Sequence, residues 1–382
     1  MKILMLHNNY KEISGEDIAV KNEFDLLSED HNVELLEFQN QFKLGSLISF
    51  NSNNQTSYNK INENIKLFNP DIIYVHNTWF TLAIEPLRKL INENKKVILK
   101  VHNFRFDCIN GIHYRDNQIC HDCNEKTLIE GIKNSCYQNS LIKSTFAINY
   151  TRNYQKLLKD NLKILTLTKF HKNYLENNLN TKNKVEILFN PINIKNISND
   201  KYSVKQNYCV YAGRVSDEKG VFELINTWND FNNLSNPNNT VLKIVGEGKS
   251  IDKFKSIKAT NIEFHERIKN EDLLILIKNA KFFISNTKLY EGQPNIIAES
   301  VLQYTPIIIP SNGGIKEFFP RYSKLIFNQN IRKDLLNKLK LTNDDKLLES
   351  ESINNYEFFN KNYSSDIYKE KFLKIAINYL SR

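Results

Sequence analysis

Short apolar runs, separated by polar stretches with helical periodicity, recur along this chain. Because each run is brief and almost wholly apolar, it is typical of a strand buried in a parallel sheet. The runs form two series divided by a polar segment. The first series comprises residues 3–6, 33–38, 71–76, 96–102, 162–168 and 185–189. The second comprises residues 208–212, 241–245, 262–264, 282–285 and 307–309.

Strands that alternate with helical stretches predict a parallel, doubly wound α/β sheet, and two series predict two such domains. An Asn- and Lys-rich segment that begins at Asn190-Pro191 separates them. We therefore predict an N-terminal domain over 1–190, a C-terminal domain over 191–362 and a final helix over 363–382. The apolar stripe of that helix is interpreted as core that packs back on the N-terminal domain: Tyr368, Phe372, Ile375 and Tyr379.

Residues 290–300 connect two predicted strands of the second series through a polar loop and a helix. Pro294 suits the first turn of that helix, where a missing N–H costs nothing. The helix is predicted to bury Ile297, Val301 and Tyr304. Glu291 lies in the loop and Glu299 inside the helix. Because open α/β sheets bind ligands at the carboxyl ends of their strands, these two carboxylates are predicted to bind hydroxyls of a sugar or a ribose.

Three other strand ends of the second series carry glycines or cations. Gly213 and Arg214 follow one strand, and Lys219 precedes the next helix. Two cations beside a helix N-terminus suit a diphosphate, although surface cations without a ligand are the alternative. Further glycine turns occur at Gly246-Glu247-Gly248 and at Gly313-Gly314. All of these segments are predicted to meet at one edge of the sheet.

The first strand of the chain is followed by Ser14-Gly15-Glu16-Asp17. Ser14 and Asp17 have the spacing of a capping box at the start of a helix. Gly15 would let a ligand approach the backbone amides closely, although an ordinary turn explains it equally well.

Four cysteines lie in one segment: Cys108, Cys120, Cys123 and Cys136. The Cys-x2-Cys core has the spacing of zinc ligands, and the outer pair could complete a closed structural site. The alternative is a set of packed, reduced thiols. His113 and His121 lie close by in the sequence.

The composition is that of a globular protein, with 41% hydrophobic and 25% charged residues among 382. The net charge of +9 is spread over both halves, which suits an anionic ligand or an acidic membrane surface. No apolar run is long enough to span a bilayer and no signal-peptide pattern is present, so we expect a cytoplasmic protein, with contact at the inner face of the membrane.

Segment 142–172 combines cations with Phe146, Tyr150 and Tyr154. This combination suits an anionic bilayer or a lipid-diphosphate acceptor, and a solvated helix face is the alternative.

The motifs of the second series, taken together, resemble the C-terminal half of family 4 glycosyltransferases. They are Gly213-Arg214-x4-Lys219-Gly220, Gly246-Glu247-Gly248, Glu291-x7-Glu299 and Gly313-Gly314. The N-terminal half resembles a cysteine-containing branch of that family through Ser14-Gly15-Glu16-Asp17, His102-Asn103-Phe104-Arg105 and the cysteine segment. The resemblance spans nearly the whole chain.

This resemblance implies the GT-B fold: two Rossmann-like, doubly wound domains that face a cleft, with a C-terminal crossover helix. It implies a nucleotide-diphosphate sugar as donor, with Arg214 and Lys219 on the diphosphate and Glu299 on the ribose. Glu291 would contact the transferred sugar, His102 would lie near that sugar from across the cleft, and Gly15 would lie beside the phosphates. The loops of the donor site would supply Gly213, Gly246, Glu247, Gly292, Pro294 and Asn295.

The sequence departs from the family pattern at three places. Ser14-Gly15 stands where Gly-Gly is common, Gly292-Gln293-Pro294 where Phe-Gly is common, and Thr305 where glycine is frequent. The donor sugar therefore does not follow from the motifs. An Asp-x-Asp motif, which often holds a metal on the diphosphate, is missing from the sequence, so no catalytic metal is expected.

The expected activity is retaining transfer of a hexosyl or N-acetylhexosaminyl group to a glycan or lipid-linked saccharide, in the synthesis of surface polysaccharide or lipopolysaccharide. A nucleotide-sugar epimerase of the same fold is the alternative. A basic nucleic-acid-binding protein is disfavoured, because the sequence has neither a recognition helix nor an arginine cluster.

Overall fold

The computed structural model describes residues 1–12, 14–40, 54–179, 181, 185–192, 205–248, 250–257, 259–329 and 331–381. The chain divides into two compact units. The first unit comprises Met1–Arg115, Cys120–Asn193 and Ser365–Arg382. The second unit comprises Asp116–Ile119 and Ile194–Ser364.

The first unit is built on a six-stranded parallel sheet with the order β2–β1–β3–β4–β7–β8. Its strands are β1 Lys2–Asn9, β2 Asn32–Gln39, β3 Ile72–Val75, β4 Val97–Val101, β7 Lys163–Thr166 and β8 Val185–Ile187. Strands β3 and β4 are buried along their whole length, as expected of central strands covered on both faces. Two short strands, β5 Tyr114–Arg115 and β6 Gln118–Ile119, form a separate two-stranded sheet.

Helices alternate with the strands of the first unit. They are α1 Gly15–Ser28, α2 Gln55–Phe68, α3 Glu85–Asn92, α4 Asp122–Glu125, α5 Ile129–Lys133, α6 Leu141–Leu157 and α7 Lys169–Asn178. Helix α1 begins with the predicted capping box. The Ser14 hydroxyl accepts from the backbone N–H of Asp17 at 3.3 Å, and the Asp17 carboxylate accepts from the backbone N–H of Ser14 at 2.7 Å.

The second unit contains another six-stranded parallel sheet, with the order β11–β10–β9–β12–β13–β14. Its strands are β9 Gln206–Ala212, β10 Val241–Val245, β11 Ile262–His265, β12 Ala280–Ile284, β13 Ile307–Pro310 and β14 Ile326–Phe327. Its helices are α8 Val221–Ser235, α9 Ile251–Lys255, α10 Asn270–Asn279, α11 Asn295–Leu302, α12 Arg332–Leu341 and α13 Asp345–Tyr363, with a 3₁₀ turn at Ile315–Phe318. Trp228, Phe231 and Phe282 are fully buried in its core.

The last helix, α14 Ser365–Leu380, packs on the sheet of the first unit. Its Tyr368 and Phe372 are fully buried. The Phe372 ring lies 5.4 Å from the Tyr74 ring, and the Tyr368 ring lies 5.8 Å from the Phe189 ring. Apolar contact between these rings attaches the helix to parts of the first unit that lie far earlier in the chain, in β3 and just after β8.

The two parallel six-stranded sheets and the C-terminal helix confirm the predicted Rossmann-like α/β class. One prediction needs correction, because α11 ends at Leu302 and does not reach Tyr304. Tyr304 adopts a positive φ of 50° and its ring stacks on Tyr356 at 3.9 Å instead. In the described part of the chain, no helix is long and apolar enough to span a membrane.

Candidate functional site

The loops that follow β9 and β10 are joined by backbone hydrogen bonds at the carboxyl edge of the second sheet. The N–H of Gly213 donates to the carbonyl of Val245 at 3.0 Å, and the N–H of Val215 donates to the carbonyl of Glu247 at 2.8 Å. The Glu247 side chain is exposed. These bonds hold two predicted site loops, 213–215 and 245–247, against each other.

The close approach of the two loops requires glycine at Gly246 and Gly248. A Cβ at Gly246 would lie 1.9 Å from the Gly213 carbonyl oxygen, and one at Gly248 would lie 2.0 Å from the Val215 carbonyl oxygen. Gly246 also has a φ of +145°, which side-chain-bearing residues rarely adopt. Bare backbone therefore lines this part of the sheet edge, which is where open α/β sheets admit a ligand.

The N-terminus of α8 is hydrogen-bonded to the loop after β12. Gly220 caps the helix with a φ of +69°, and a Cβ there would lie 2.0 Å from the Asn286 carbonyl oxygen. The Asn286 amide donates back to the Gly220 carbonyl at 2.7 Å. The start of a 15-residue helix, with its partial positive charge, thus lies next to the other strand-end loops.

Lys219 and Glu291 form an ion pair at this edge. The Lys219 ammonium donates to Glu291 Oε1, and the Thr287 hydroxyl donates to the same oxygen at 3.1 Å. Burial opposes ionisation of Glu291, but the Lys219 charge and these hydrogen bonds outweigh it and hold the pKa of the carboxyl below its usual value. The Glu291 carbonyl accepts from the N–H of Gly314 at 2.9 Å, so the loop after β13 belongs to the same cluster.

Arg214 is held more loosely than Lys219. Its side chain is 62% exposed, and its Nε lies 3.6 Å from Glu218 Oε1. The backbone is fixed, because the Tyr211 hydroxyl donates to the Arg214 carbonyl at 2.8 Å. Such a side chain can turn towards an anionic ligand at little cost, since an exposed ion pair contributes little stability.

Glu299 lies in α11, which begins after Pro294 at the helix N-cap. The side chain is buried, and burial raises the pKa of its carboxyl to about 7. Gly292, Pro294 and Asn295 form the half-buried loop and first turn before it. Perturbed pKa values of this kind are concentrated at functional positions.

Replacing Glu299 by glutamine is expected to stabilise the protein at pH 8 by about 3 kcal/mol relative to the unchanged chain. With a pKa of about 7 when folded, against the ordinary value of 4.5, the folded state binds more protons between these pH values. The unfolding free energy contributed by Glu299 therefore falls as the pH rises from about 4.5 to 7. Urea unfolding at pH 5 and pH 8 measures this difference, and a gap between the two proteins that does not widen with pH contradicts the buried carboxyl.

In the first unit, His102 follows β4 and contacts a second histidine. His102 Nε2 lies 3.1 Å from His76 Nδ1, and burial lowers the pKa of both imidazoles well below the usual value. Both rings are therefore neutral near pH 7, able to donate and accept hydrogen bonds but carrying no charge. The position of His102 near a donor sugar stays a prediction.

Lys100 and Glu23 form a buried ion pair close to these histidines, with Glu23 Oε2 3.7 Å from His76 Nε2. The Lys100 ammonium donates to Glu23 Oε1 and, at 3.1 Å, to the carbonyl of Phe189. The Tyr74 hydroxyl donates to Glu23 Oε2 at 2.7 Å. Both charged side chains are fully buried, so each depends on the other and on these hydrogen bonds.

Gly15 lies at the exposed first turn of α1. A Cβ there would meet no atom within 4 Å, so packing in the first unit does not require glycine. In the same turn, Asp17 Oδ1 lies 2.8 Å from His7 Nε2. The phosphate role predicted for Gly15 stays a prediction.

The four clustered cysteines are reduced, and Cys108 is buried. Burial, followed by the nearby thiols of Cys108, Cys136 and Cys120, raises the pKa of Cys123 to about 12. The four thiols therefore lie close together. Nevertheless, within the described ranges no group of three or more His, Cys, Asp or Glu side chains is arranged to hold a metal ion, so the predicted zinc finds no support.

The basic and aromatic segment 142–172 separates into two parts. Tyr150 and Tyr154 are buried in the first unit, and Phe146 is half-buried, so the two tyrosines do not form a membrane-facing surface. The exposed cations are Arg152, Lys156, Lys159 and Lys169. The aromatic part of the prediction was wrong for Tyr150 and Tyr154, because the face of α6 that carries them is buried in the first unit. Membrane contact stays a prediction based on charge.

Sequence reasoning missed Arg105 as a site residue, although it quoted the motif that contains it. Arg105 follows β4 and lines a pocket together with His102, Lys100 and Glu16. The available signal was its position three residues beyond His102, at the carboxyl edge of the first sheet. The sequence did not indicate that Nε and Nη1 of this arginine would be buried.

Comparison with protein families gives one match. Residues 193–357 match the model described as "Glycosyl transferases group 1". No curated protein matches the chain at a significant level.

Three solved structures show the same fold at low sequence identity. Sucrose-phosphate synthase from Thermosynechococcus elongatus aligns with a TM-score of 0.71 at 11% identity, covering 100% of this chain and 99% of that one. WaaB, a lipopolysaccharide outer core galactosyltransferase in its apo form, aligns with a TM-score of 0.62 at 12% identity, covering 99% of each chain. A mutant of S. aureus TarM, in complex with Fondaparinux, alpha-GlcNAc-glycerol and UDP, aligns with a TM-score of 0.57 at 18% identity. That alignment covers 83% of this chain and 58% of TarM, so the chain spans little more than half of TarM's length.

Proposed function

We propose that this chain, whose residues 193–357 match the model for group 1 glycosyltransferases, transfers a sugar from a nucleotide-diphosphate sugar to a glycan or lipid-linked saccharide. The observation that carries the proposal is the strand-end cluster of the second unit. There, the α8 N-terminus, Lys219, Glu291 and the bare backbone at Gly213 and Gly246 meet at one sheet edge. Helix N-termini, lysine and close-approach glycines together suit a phosphate group.

The proposed role of Lys219 is to stabilise the charge that develops on the leaving diphosphate. Cleavage of the glycosidic bond leaves a negative charge on the diphosphate oxygen, and a preorganised cation beside it lowers the barrier. In the structure Lys219 is paired with Glu291. A bound diphosphate would draw the ammonium towards its own oxygens, and Arg214 would turn in from solvent to join it.

Once Lys219 has moved to the diphosphate, the Glu291 carboxylate would keep the Thr287 hydroxyl as its hydrogen-bond donor. A carboxylate so placed can accept from the hydroxyls of the transferred sugar. Glu299 would accept from the ribose hydroxyls, in which case the nucleotide binds the ionised carboxylate. Because the pKa of Glu299 is about 7, nucleotide affinity would weaken as the pH falls below 7.

Two of the similar structures support the substrate classes. The TarM complex contains UDP and saccharides, and WaaB is a lipopolysaccharide outer core galactosyltransferase. On this basis a uridine diphosphate sugar is the first donor to test, and a surface polysaccharide or lipopolysaccharide precursor is the proposed acceptor. The first unit would bind that acceptor and the second unit the donor. The choice between a hexosyl and an N-acetylhexosaminyl group stays open.

Calorimetric titration with uridine, guanosine and adenosine diphosphates tests the donor site directly. We expect one of these nucleotides to bind to the unchanged protein, with weaker binding at pH 6 than at pH 8. The Glu299→Gln variant should lose most of this pH dependence. A protein that binds none of the three at either pH contradicts the proposed donor site.

Incubation with the nucleotide sugar alone separates transfer from epimerisation. A transferase releases little nucleotide without an acceptor, whereas an epimerase converts the sugar or releases its epimer. Formation of an epimer in the absence of any saccharide acceptor would overturn the proposed transfer reaction.

A further inference from the structure

The guanidinium of Arg105 in the first unit hydrogen-bonds the Tyr10 side chain, but two of its nitrogens are buried donors that have no protein acceptor. Its Nε and Nη1 are inaccessible to solvent, and no acceptor for either atom lies among the described residues. A buried guanidinium normally has its N–H groups paired, because leaving them unsatisfied is costly. The side chain lines a pocket whose other members include Asn103, Thr78 and Tyr150. The unpaired donors therefore indicate a ligand.

The guanidinium is held in place by its surroundings. Its Cζ lies 4.6 Å from the centre of the Trp79 ring, in the geometry of a cation–π contact. Gly111 covers the aliphatic part of the side chain: a Cβ at that glycine, whose φ is +76°, would lie 2.9 Å from Arg105 Cγ. The Asn103 side chain accepts from the backbone N–H of Arg105 at 3.1 Å. Arg105 is thus positioned before any ligand arrives.

Other lining groups do not neutralise the Arg105 charge fully. Lys100 is already paired with Glu23, and the neutral imidazoles of His76 and His102 add no charge. Glu16 is the carboxyl of the pocket, and its Oε2 accepts from the Tyr10 hydroxyl at 3.0 Å. Burial raises the pKa of Glu16, which weakens it as a counter-ion. The pocket therefore favours an anion.

A further donor faces the same pocket. The hydroxyls of Thr78 and Tyr150 are hydrogen-bonded to each other. Whichever of the two donates, the other keeps a proton, and neither hydroxyl donates to another acceptor within the part of the chain that the structure describes. Arg105 and this hydroxyl pair together offer several donors to one ligand, more than a single sugar hydroxyl can accept.

We propose that this pocket binds a phosphate group of the acceptor, with Arg105 and the Thr78–Tyr150 hydroxyl pair donating to its oxygens. The proposal rests on the proposed function and extends it by naming the acceptor class, a phosphorylated saccharide or a saccharide on a lipid phosphate. A tetrahedral phosphate oxyanion accepts from several directions, and arginine is the side chain best suited to bind it.

The test is calorimetric titration with inorganic phosphate in the presence of saturating UDP, which occupies the donor site. The unchanged protein is expected to bind phosphate, and Arg105→Gln to bind it roughly tenfold or more weakly. Arg152→Gln is the matched control, because Arg152 is exposed on α6 of the same unit. Circular dichroism and thermal melting establish that each variant is folded. If Arg105→Gln does not fold, Thr78→Val and Tyr150→Phe, each of which removes one hydroxyl, provide the comparison.

Two further arms identify the source and the type of anion. Vesicles of phosphatidylcholine with and without phosphatidic acid present the phosphate on a lipid, and Arg105-dependent flotation would assign a lipid phosphate. Phosphate binding in solution without flotation would assign a soluble phosphorylated saccharide. Acetate replaces phosphate in a parallel titration, and Arg105-dependent binding of acetate alone would overturn the phosphate assignment.

Failure of this proposal is distinguishable from failure of the proposed function. UDP that binds while phosphate does not, or phosphate binding that Arg105→Gln leaves unchanged, overturns the phosphate pocket and leaves the donor site intact. If UDP does not bind, the proposed function fails. The phosphate titration is then carried out on Lys219→Gln, which removes the ordered cation of the strand-end cluster and so tests whether phosphate binds there instead.

Discussion

Lys219→Gln is expected to lower the rate of sugar transfer about 10²- to 10³-fold while the protein stays folded. The ammonium of Lys219 is the ordered cation at the strand-end cluster, where it contacts Glu291 and adjoins the α8 N-terminus. A neutral amide there cannot compensate the charge of a leaving diphosphate. The side chain is 23% exposed and leaves Glu291 without its counter-ion when it is removed, so we expect a lower free energy of unfolding in a protein that still folds. Single-turnover transfer with a saturating donor measures the effect.

Lys346→Gln is the control for this change, because Lys346 is an exposed lysine on α13 of the same unit. It should transfer sugar at the unchanged rate. Nucleotide affinity, measured in the same samples, separates a loss of donor binding from a loss of catalysis. A folded Lys219→Gln protein that transfers within threefold of the unchanged rate would refute the diphosphate role of Lys219.

Lys100→Met should lower the free energy of unfolding by about 3–5 kcal/mol, because it removes one partner of a fully buried ion pair. Glu23 would retain the Tyr74 hydroxyl but lose its counter-charge. The Phe189 carbonyl would also lose a donor. Urea unfolding, followed by a probe in the first unit, measures the change.

The double variant Lys100→Met with Glu23→Gln provides the comparison. Removing both charges avoids an uncompensated carboxylate, so the double variant should regain much of the lost stability. Lys156→Met, at an exposed position on α6, should change stability by less than about 0.5 kcal/mol. A double variant as unstable as Lys100→Met would show that packing, and not charge, accounts for the loss.

The sheets of both units were predictable because parallel strands buried on both faces leave a nearly continuous apolar signal. Residues 208–212, 241–245 and 307–309 were predicted as strands and lie in β9, β10 and β13. Strand β14 escaped prediction because two residues are too short to produce a pattern. Helix α11 was extended too far because Tyr304 continues the helical spacing of apolar residues but packs on Tyr356 instead.

The site was predictable at the level of which loops meet, since strand ends of a parallel sheet share an edge. Individual contacts were not. The pairing of Lys219 with Glu291 joins residues 72 positions apart, and no local pattern specifies it. Likewise, the enclosure of Arg105 depends on Trp79 and Gly111, which come from different loops. Tyr150 and Tyr154 resembled a surface signal because composition does not reveal which face of α6 is buried.

The position of α14 has a consequence for the order in which this protein is made. The polypeptide leaves the first unit, builds the second, and returns to the first only at Ser365. During synthesis, the second unit can therefore complete its sheet while Tyr74 and Phe189 still lack the rings of Tyr368 and Phe372. A nascent chain arrested before Ser365 would expose that apolar surface of the first unit, which makes it a natural binding site for chaperones.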